Sequence, residues 1–194
     1  VVGIDVAALR GDLDGDGFAD FVSTALEPQG RGAIVCFSGR TGAVLRVSFG
    51  AQSGDALVNV GACGDVDQDG VPDYCGGGSF GNSVVTAFSG ATGQIIHSWR
   101  DTVANYMGIN VIGGYDLDQD GVPDLAAGSL GTYMNTFSGR DGTFLARWPR
   151  SAGFNTCSGE SLAMLAPPPG EQYPVFVYTE RCWGSVTNNC TSNA

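Results

Sequence analysis

At 194 residues and 20.0 kDa the chain suits one domain with a sizeable core or a short array of repeats, and its 43% hydrophobic content excludes disorder. The formal charge is −11, with nine arginines and no lysine, which excludes the basic patch that nucleic-acid binding requires. No apolar run reaches the roughly 18 residues of a spanning helix, and 31 glycines favour many turns over long helices.

The first strong signal is Asp12-Leu13-Asp14-Gly15-Asp16-Gly17-Phe18-Ala19-Asp20, with carboxylates at the first, third, fifth and ninth positions and glycine at the sixth. It recurs at Asp65-Val66-Asp67-Gln68-Asp69-Gly70-Val71-Pro72-Asp73 and at Asp116-Leu117-Asp118-Gln119-Asp120-Gly121-Val122-Pro123-Asp124, in steps of 53 and 51 residues. Such a fixed period marks a repeat architecture. A second landmark keeps the same step: Phe37-Ser38-Gly39-Arg40-Thr41-Gly42, then Phe88-Ser89-Gly90-Ala91-Thr92-Gly93, then Phe137-Ser138-Gly139-Arg140-Asp141-Gly142.

Between the landmarks lie segments of strand length bounded by turn residues. The second repeat offers Leu57 to Val60, Tyr74 to Cys75, Val84 to Phe88 and Gln94 to Trp99. The third offers Ile109 to Gly113, Leu125 to Ala127, Tyr133 to Phe137 and Thr143 to Trp148. Each unit is thus expected to be a four-stranded antiparallel meander. The acidic run joins its first two strands and the Ser-Gly turn its last two. The expected fold is all-β, a propeller-like array of four blades with the fourth incomplete. The chain divides into repeats of about 1–52, 53–103, 104–152 and 153–194 within one domain.

The fourth repeat is placed by setting Tyr173 to Val177 beside Val122 to Ala126. Pro167, Pro169 and Glu171 then take the loop positions and Val175 replaces Asp124, so no metal is expected there. In this register the sequence stops where the fourth repeat's last strand should begin, and three readings stay open: the natural protein continues past residue 194, the last blade has three strands, or the open edge pairs with another chain.

An acidic run of this form is a calcium loop. A helical EF-hand would carry an acid at the twelfth position, where this chain has Ser23, Gly76 and Ala127. The fourth acid instead comes at the ninth position, directly before a strand, and Val-Pro precedes it in two copies, poor material for entering a helix. These features resemble the FG-GAP repeats, the calcium-bearing propeller blades of integrin α-subunits and many secreted bacterial proteins. The resemblance covers nearly the whole chain, strongly to about residue 150. It implies three Ca²⁺ sites. The first has as ligands Asp12, Asp14, Asp16, the Phe18 carbonyl and Asp20. The second has Asp65, Asp67, Asp69, the Val71 carbonyl and Asp73, and the third has Asp116, Asp118, Asp120, the Val122 carbonyl and Asp124. Twelve of the 20 acidic residues sit in these loops. Three bound ions would leave a net charge of about −5, so the acidity is largely a metal-site signature.

Six cysteines without C-x-x-C spacing read as disulfides rather than zinc ligands and favour an oxidising, extracellular or periplasmic setting. Cys63 and Cys75 would staple the second acidic hairpin. Cys182 with Cys190 and Cys36 with Cys157 would complete one of fifteen pairings that sequence leaves open. The last pair becomes adjacent if four blades close into a ring. Asn189-Cys190-Thr191 fits a glycosylation sequon.

Enzyme signals are weak. Gly77-Gly78-Ser79-Phe80-Gly81 matches G-x-S-x-G as a string, but no helix pattern follows and His97 is the sole histidine. It reads as a blade turn, and His97 as a packed or edge residue. Acids outside the loops form no catalytic pair. Trp99 and Trp148, with Phe49 at the matching position, read as strand packing. The expected function is an extracellular calcium-stabilised module for structure, adhesion or assembly, with protein or glycan partners or self-association through the fourth blade. The alternative is a non-catalytic propeller portion of a secreted enzyme or carbohydrate-binding protein.

Overall fold

The computed structural model describes residues 2–26, 30–78, 82–100, 107–129, 133–149, 156–171 and 174–182. The described residues contain strands and no helices. The first sheet comprises β1 (Val2–Ala8), β2 (Phe21–Leu26), β3 (Gly32–Phe37) and β4 (Val44–Phe49). The second comprises β5 (Asn59–Gly64), β6 (Asp73–Gly78), β7 (Val84–Phe88) and β8 (Ile95–Arg100). The third comprises β9 (Asn110–Tyr115), β10 (Asp124–Gly128), β11 (Tyr133–Phe137) and β12 (Phe144–Pro149). Each is an antiparallel meander in chain order, while β13 (Thr156–Leu165) and β14 (Val175–Cys182) form a two-stranded fourth sheet. The chain is therefore all-β, with four blades and an incomplete fourth.

Burial explains why these segments are strands. Along β7, Val84 and Phe88 enter a core shared with the first sheet, while Val85 and Ala87 enter one shared with the third. The period of two delivers side chains to both neighbours, so a middle strand is buried on each face. The outermost strands β4 and β8 carry exposed Val44, Val47 and Ile95.

The expected strand Tyr74 to Cys75 is longer in the structure because Gly76, Gly77 and Gly78 pair with Thr86, Val85 and Val84. These glycines belong to a sheet, and the reason is close blade packing. A side chain at Gly76 would place its Cβ 2.7 Å from Ile34 Cδ1, and one at Gly61 would lie 2.3 Å from the Val111 carbonyl oxygen. Part of the glycine excess thus serves inter-blade approach rather than turns.

The inner strands stack in sequence, β1 on β5, β5 on β9 and β9 on β13. Among the described residues no comparable packing joins β13 to β1, so the sheets form an arc. This corrects the ring-based reason for pairing Cys36 with Cys157. Cys36 is a buried thiol in the core of the first two sheets, while β13 packs against the third.

Neighbouring blades are also tied by polar contacts. Ser48 Oγ donates to the Gly93 carbonyl at 2.8 Å, and Trp99 Nε1 donates to the Gly142 carbonyl at 2.7 Å. Ser48 pairs with Ile34, Trp99 with Val85 and Trp148 with Met134. The residue matching the two tryptophans is therefore Ser48, not Phe49. His97 Nε2 donates to the Gly139 carbonyl at 2.8 Å, a packing role. On the face away from the acidic loops, Asp55 is fully buried and held by Arg100 at 2.6 Å through both oxygens and by Asn82 Nδ2 at 2.9 Å. These partners hold the Asp55 carboxyl below its usual range despite the opposing effect of burial.

Candidate metal centres

Each acidic run connects the first two strands of a blade, β1 to β2, β5 to β6 and β9 to β10. The sharp turn comes from left-handed residues at the fourth and sixth positions. Gly15 and Gly17 take φ of 78° and 87°, while Gln68 and Gln119 adopt 60° and 65° ahead of Gly70 and Gly121, each at 89°. The fold draws the loop inward around its first carboxylate. Asp12 Oδ1 accepts from the amides of Asp14, Gly15 and Asp16 at 3.1, 2.6 and 3.2 Å, and its Oδ2 accepts from Gly17 at 2.6 Å. Asp65 and Asp116 hold the amides of Asp69 and Gly70, and of Asp120 and Gly121, in the same way.

The loops bring together Asp12, Asp14 and Asp20, then Asp65, Asp67 and Asp73, then Asp116, Asp118 and Asp124. In each group the ligand oxygens lie within 4.8 Å of one another. Three hard oxygen donors converging on one point are the donor set that suits a divalent cation such as calcium. The fifth-position residues Asp16, Asp69 and Asp120 lie outside these groups. Their Oδ1 atoms accept from the amides of Phe18, Val71 and Val122 at 2.9, 2.8 and 2.9 Å, a local turn bond that fixes the seventh residue. Phe18 is exposed beneath the Arg40 guanidinium at 5.3 Å, whereas Val122 is buried in the core. Asp120 Oδ2 also pairs with Arg140 Nε at 2.6 Å, giving the third loop an internal cation that Ala91 cannot supply to the second.

The ninth-position aspartate is the hinge of each site. Asp20, Asp73 and Asp124 are at most 1% exposed. Their Oδ2 atoms accept from the loop amides of Leu13, Val66 and Leu117 at 2.6, 2.7 and 2.6 Å. Their Oδ1 atoms accept from Gly39, Gly90 and Gly139 at 2.8, 2.6 and 2.9 Å. One carboxylate therefore joins the acidic loop to the Ser-Gly turn of the same blade. Sequence reading missed this link, although the two landmarks recur together in all three repeats. Adjacent loops also touch. Gln68 Nε2 donates to the Gly121 carbonyl at 3.1 Å, and Gly11 and Gly64 leave room for Pro72 and Pro123 of the next blade.

Burial first, and neighbouring carboxylates second, displace the loop aspartates from their ordinary range. Burial pushes Asp73 up to about 6 against the opposing pull of its amide donors, and burial raises Asp124 as well. Lost solvation, then the neighbouring Asp16, Asp20 and Asp12, raise Asp14. Asp118 is raised in the same way, by lost solvation and then by Asp120. The Gly17 amide and its neighbours hold Asp12 low. Ser79 and Phe80 of the G-x-S-x-G string lie outside the described residues, as do Asn189 and Cys190.

No protein-family model matches the chain. It is 32% identical over 157 residues to integrin alpha-6 of Gallus gallus and 29% identical over 154 residues to that of Homo sapiens, in each case across 71% of this chain. The chain is an FG-GAP, integrin α-like propeller relative. It spans only 14% of the chicken protein and 13% of the human one. The crystal structure of Saccharomyces cerevisiae Sqt1, a β-propeller-type protein, superposes over 83% of this chain and 38% of its own with a TM-score of 0.54. At 13% identity that likeness concerns the fold.

Proposed function

We propose that the chain is an extracellular, calcium-stabilised propeller module with a structural, adhesive or assembly role and no catalytic activity of its own. The observation that carries this reading is the threefold recurrence of the acidic group, each built on a buried aspartate that also clasps the Ser-Gly turn. The integrin α relationship supports the adhesive setting. Calcium would be held by the three runs already named, with the fifth-position carboxylates and the Phe18, Val71 and Val122 carbonyls completing each site. Bound there, it cancels the mutual repulsion of the carboxylates and pins the first two strands of each blade. A secreted setting also accommodates disulfides and a glycan at Asn189.

Calorimetric titration of EDTA-stripped protein with calcium chloride should report three ions per chain. Asp65→Asn with Asp67→Asn should remove one of them and leave two. Uptake of no ion, or an unchanged stoichiometry in the double variant, rejects the assignment.

The partner is proposed to be a protein at the cell exterior, including a second copy. Among the described residues β14 pairs with β13 alone, and Leu165, Val175 and Val177 are exposed on this short sheet. Sedimentation should show concentration-dependent dimers that Val177→Lys weakens. A monomer at all concentrations removes self-association from the reading.

A further inference from the structure

Cys63 and Cys75 lie on β5 and β6, two residues before Asp65 and two after Asp73. The corresponding positions are Arg10 and Val22 in the first blade and Gly114 and Ala126 in the third, so this pair is peculiar to the second. Both side chains are fully buried in the core shared by the second and third sheets. Ala62 pairs with Tyr74 and Gly64 with Asp73, which makes Cys63 the extra residue of a bulge. Both are free thiols in the structure, on paired strands and in one core cluster, and Cys75 Sγ donates to the Gly61 carbonyl at 3.4 Å. Gly61 stands opposite Cys75, and its missing side chain leaves that space to the sulfur.

From the placement of these two thiols on the paired strands we infer that Cys63 and Cys75 form a disulfide in an oxidising setting, closing a covalent ring around the whole second acidic loop. Two S–H bonds break and one S–S bond forms. The two electrons and two protons pass to a disulfide oxidant such as glutathione disulfide, which is reduced to two thiols. Because neither sulfur is exposed in the folded chain, the exchange takes place before the hairpin is sealed. The cross-link and a bound cation would restrain the same two strands, so oxidation should raise the calcium affinity of the second loop. That coupling rests on the calcium reading, whereas the cross-link does not.

The test is full-length protein refolded in glutathione and glutathione disulfide with calcium, alkylated and digested without reduction. A peptide pair joining Cys63 to Cys75, lighter by two hydrogen atoms than the two thiol peptides, is the expected result. Dithiothreitol should lower the melting temperature of the wild type by roughly 6–12 °C more than that of Cys63→Ala/Cys75→Ala, as closure of a short loop predicts. Calcium titration should show one ion bound several-fold more weakly after reduction. Alkylation of both residues as free thiols, or linkage of either to another cysteine, overturns the pairing. A cross-link whose reduction leaves every calcium affinity unchanged overturns the coupling. Absence of calcium uptake defeats the metal reading instead, with the peptide map still deciding the disulfide.

Discussion

EDTA should lower the melting temperature by about 8–16 °C relative to calcium at ten times its dissociation constant. Each occupied site then contributes about 1.4 kcal/mol by mass action, three sites give about 4, and a domain of this size moves roughly 2–4 °C per kcal/mol. The effect is large for a structural reason. The ninth-position aspartates are buried carboxylates joined to two separate segments of each blade. Loosening an empty loop therefore reaches the Ser-Gly turn and the edge strand behind it. Scanning calorimetry with and without EDTA decides the matter, and coincident transitions would discard calcium as a stabiliser.

The same pair of scans should diverge with pH in a defined sense. Asp73 titrates near 6 in the folded chain against an ordinary 3.8. Between those values the folded protein holds more protons than the unfolded one, so metal-free stability rises as pH falls through 6 and is lost as pH rises through it. Asp14, Asp118 and Asp124 are displaced in the same direction. Asp12 and Asp55 are depressed, and their stabilisation fades only below the ordinary carboxylate range, outside this window. In saturating calcium protons compete with the ion for the same oxygens, and acidification from pH 7 to 5 should lower the melting temperature. The two curves should converge toward pH 5. A metal-free curve that falls in parallel with the calcium curve over this range would contradict the raised carboxylates of the loops.

Much of the architecture was legible because repetition amplifies weak local signals. Tyr133–Phe137 and Val84–Phe88 were delimited as strands by their length and by the turn residues that bound them, and the structure keeps those bounds. The acidic runs were legible as loops because glycine and aspartate at fixed offsets encode a turn locally. What depends on another blade was not. The glycine triplet at 76–78 looks like a turn until Ile34 is placed against it. Asp55 lies in no repeated motif, yet it is fully buried between Arg100 and Asn82, and a single carboxylate in a connector carries no signal of partners 27 and 45 residues away. Within the sites, the spacing of the carboxylates was evident but their dual attachment was not. A carboxylate spaced as a metal ligand does not announce that its other oxygen faces a glycine amide from the turn between the last two strands of the blade.

That second attachment accounts for the identity of the glycine and makes a strong prediction. Gly90→Ala should destabilise the protein by about 3–5 kcal/mol, near the upper end for a single substitution. Asp73 Oδ1 draws the Gly90 amide to 2.6 Å and seats the turn against the preceding strand. An added Cβ would stand 1.9 Å from the Pro72 carbonyl oxygen and 3.0 Å from Leu13 Cδ2. The carbonyl belongs to the residue just before Asp73, so the backbone cannot retreat without withdrawing the carboxylate from both its loop and its turn. Gly39 and Gly139 meet Ala19 and Pro123 at the same 1.9 Å, which makes the constraint a property of the repeat. Gly42 supplies the control. It is left-handed at a φ of 71° with no atom within 4 Å of an added Cβ, and Gly42→Ala should cost only about 1 kcal/mol of conformational strain. Denaturant midpoints in EDTA read both values without interference from metal affinity. Equal losses would mean that backbone conformation, rather than the aspartate-to-turn clasp, dictates glycine in this turn. A loss confined to Gly90 would place the requirement at the junction of loop and turn, where one carboxylate shapes both.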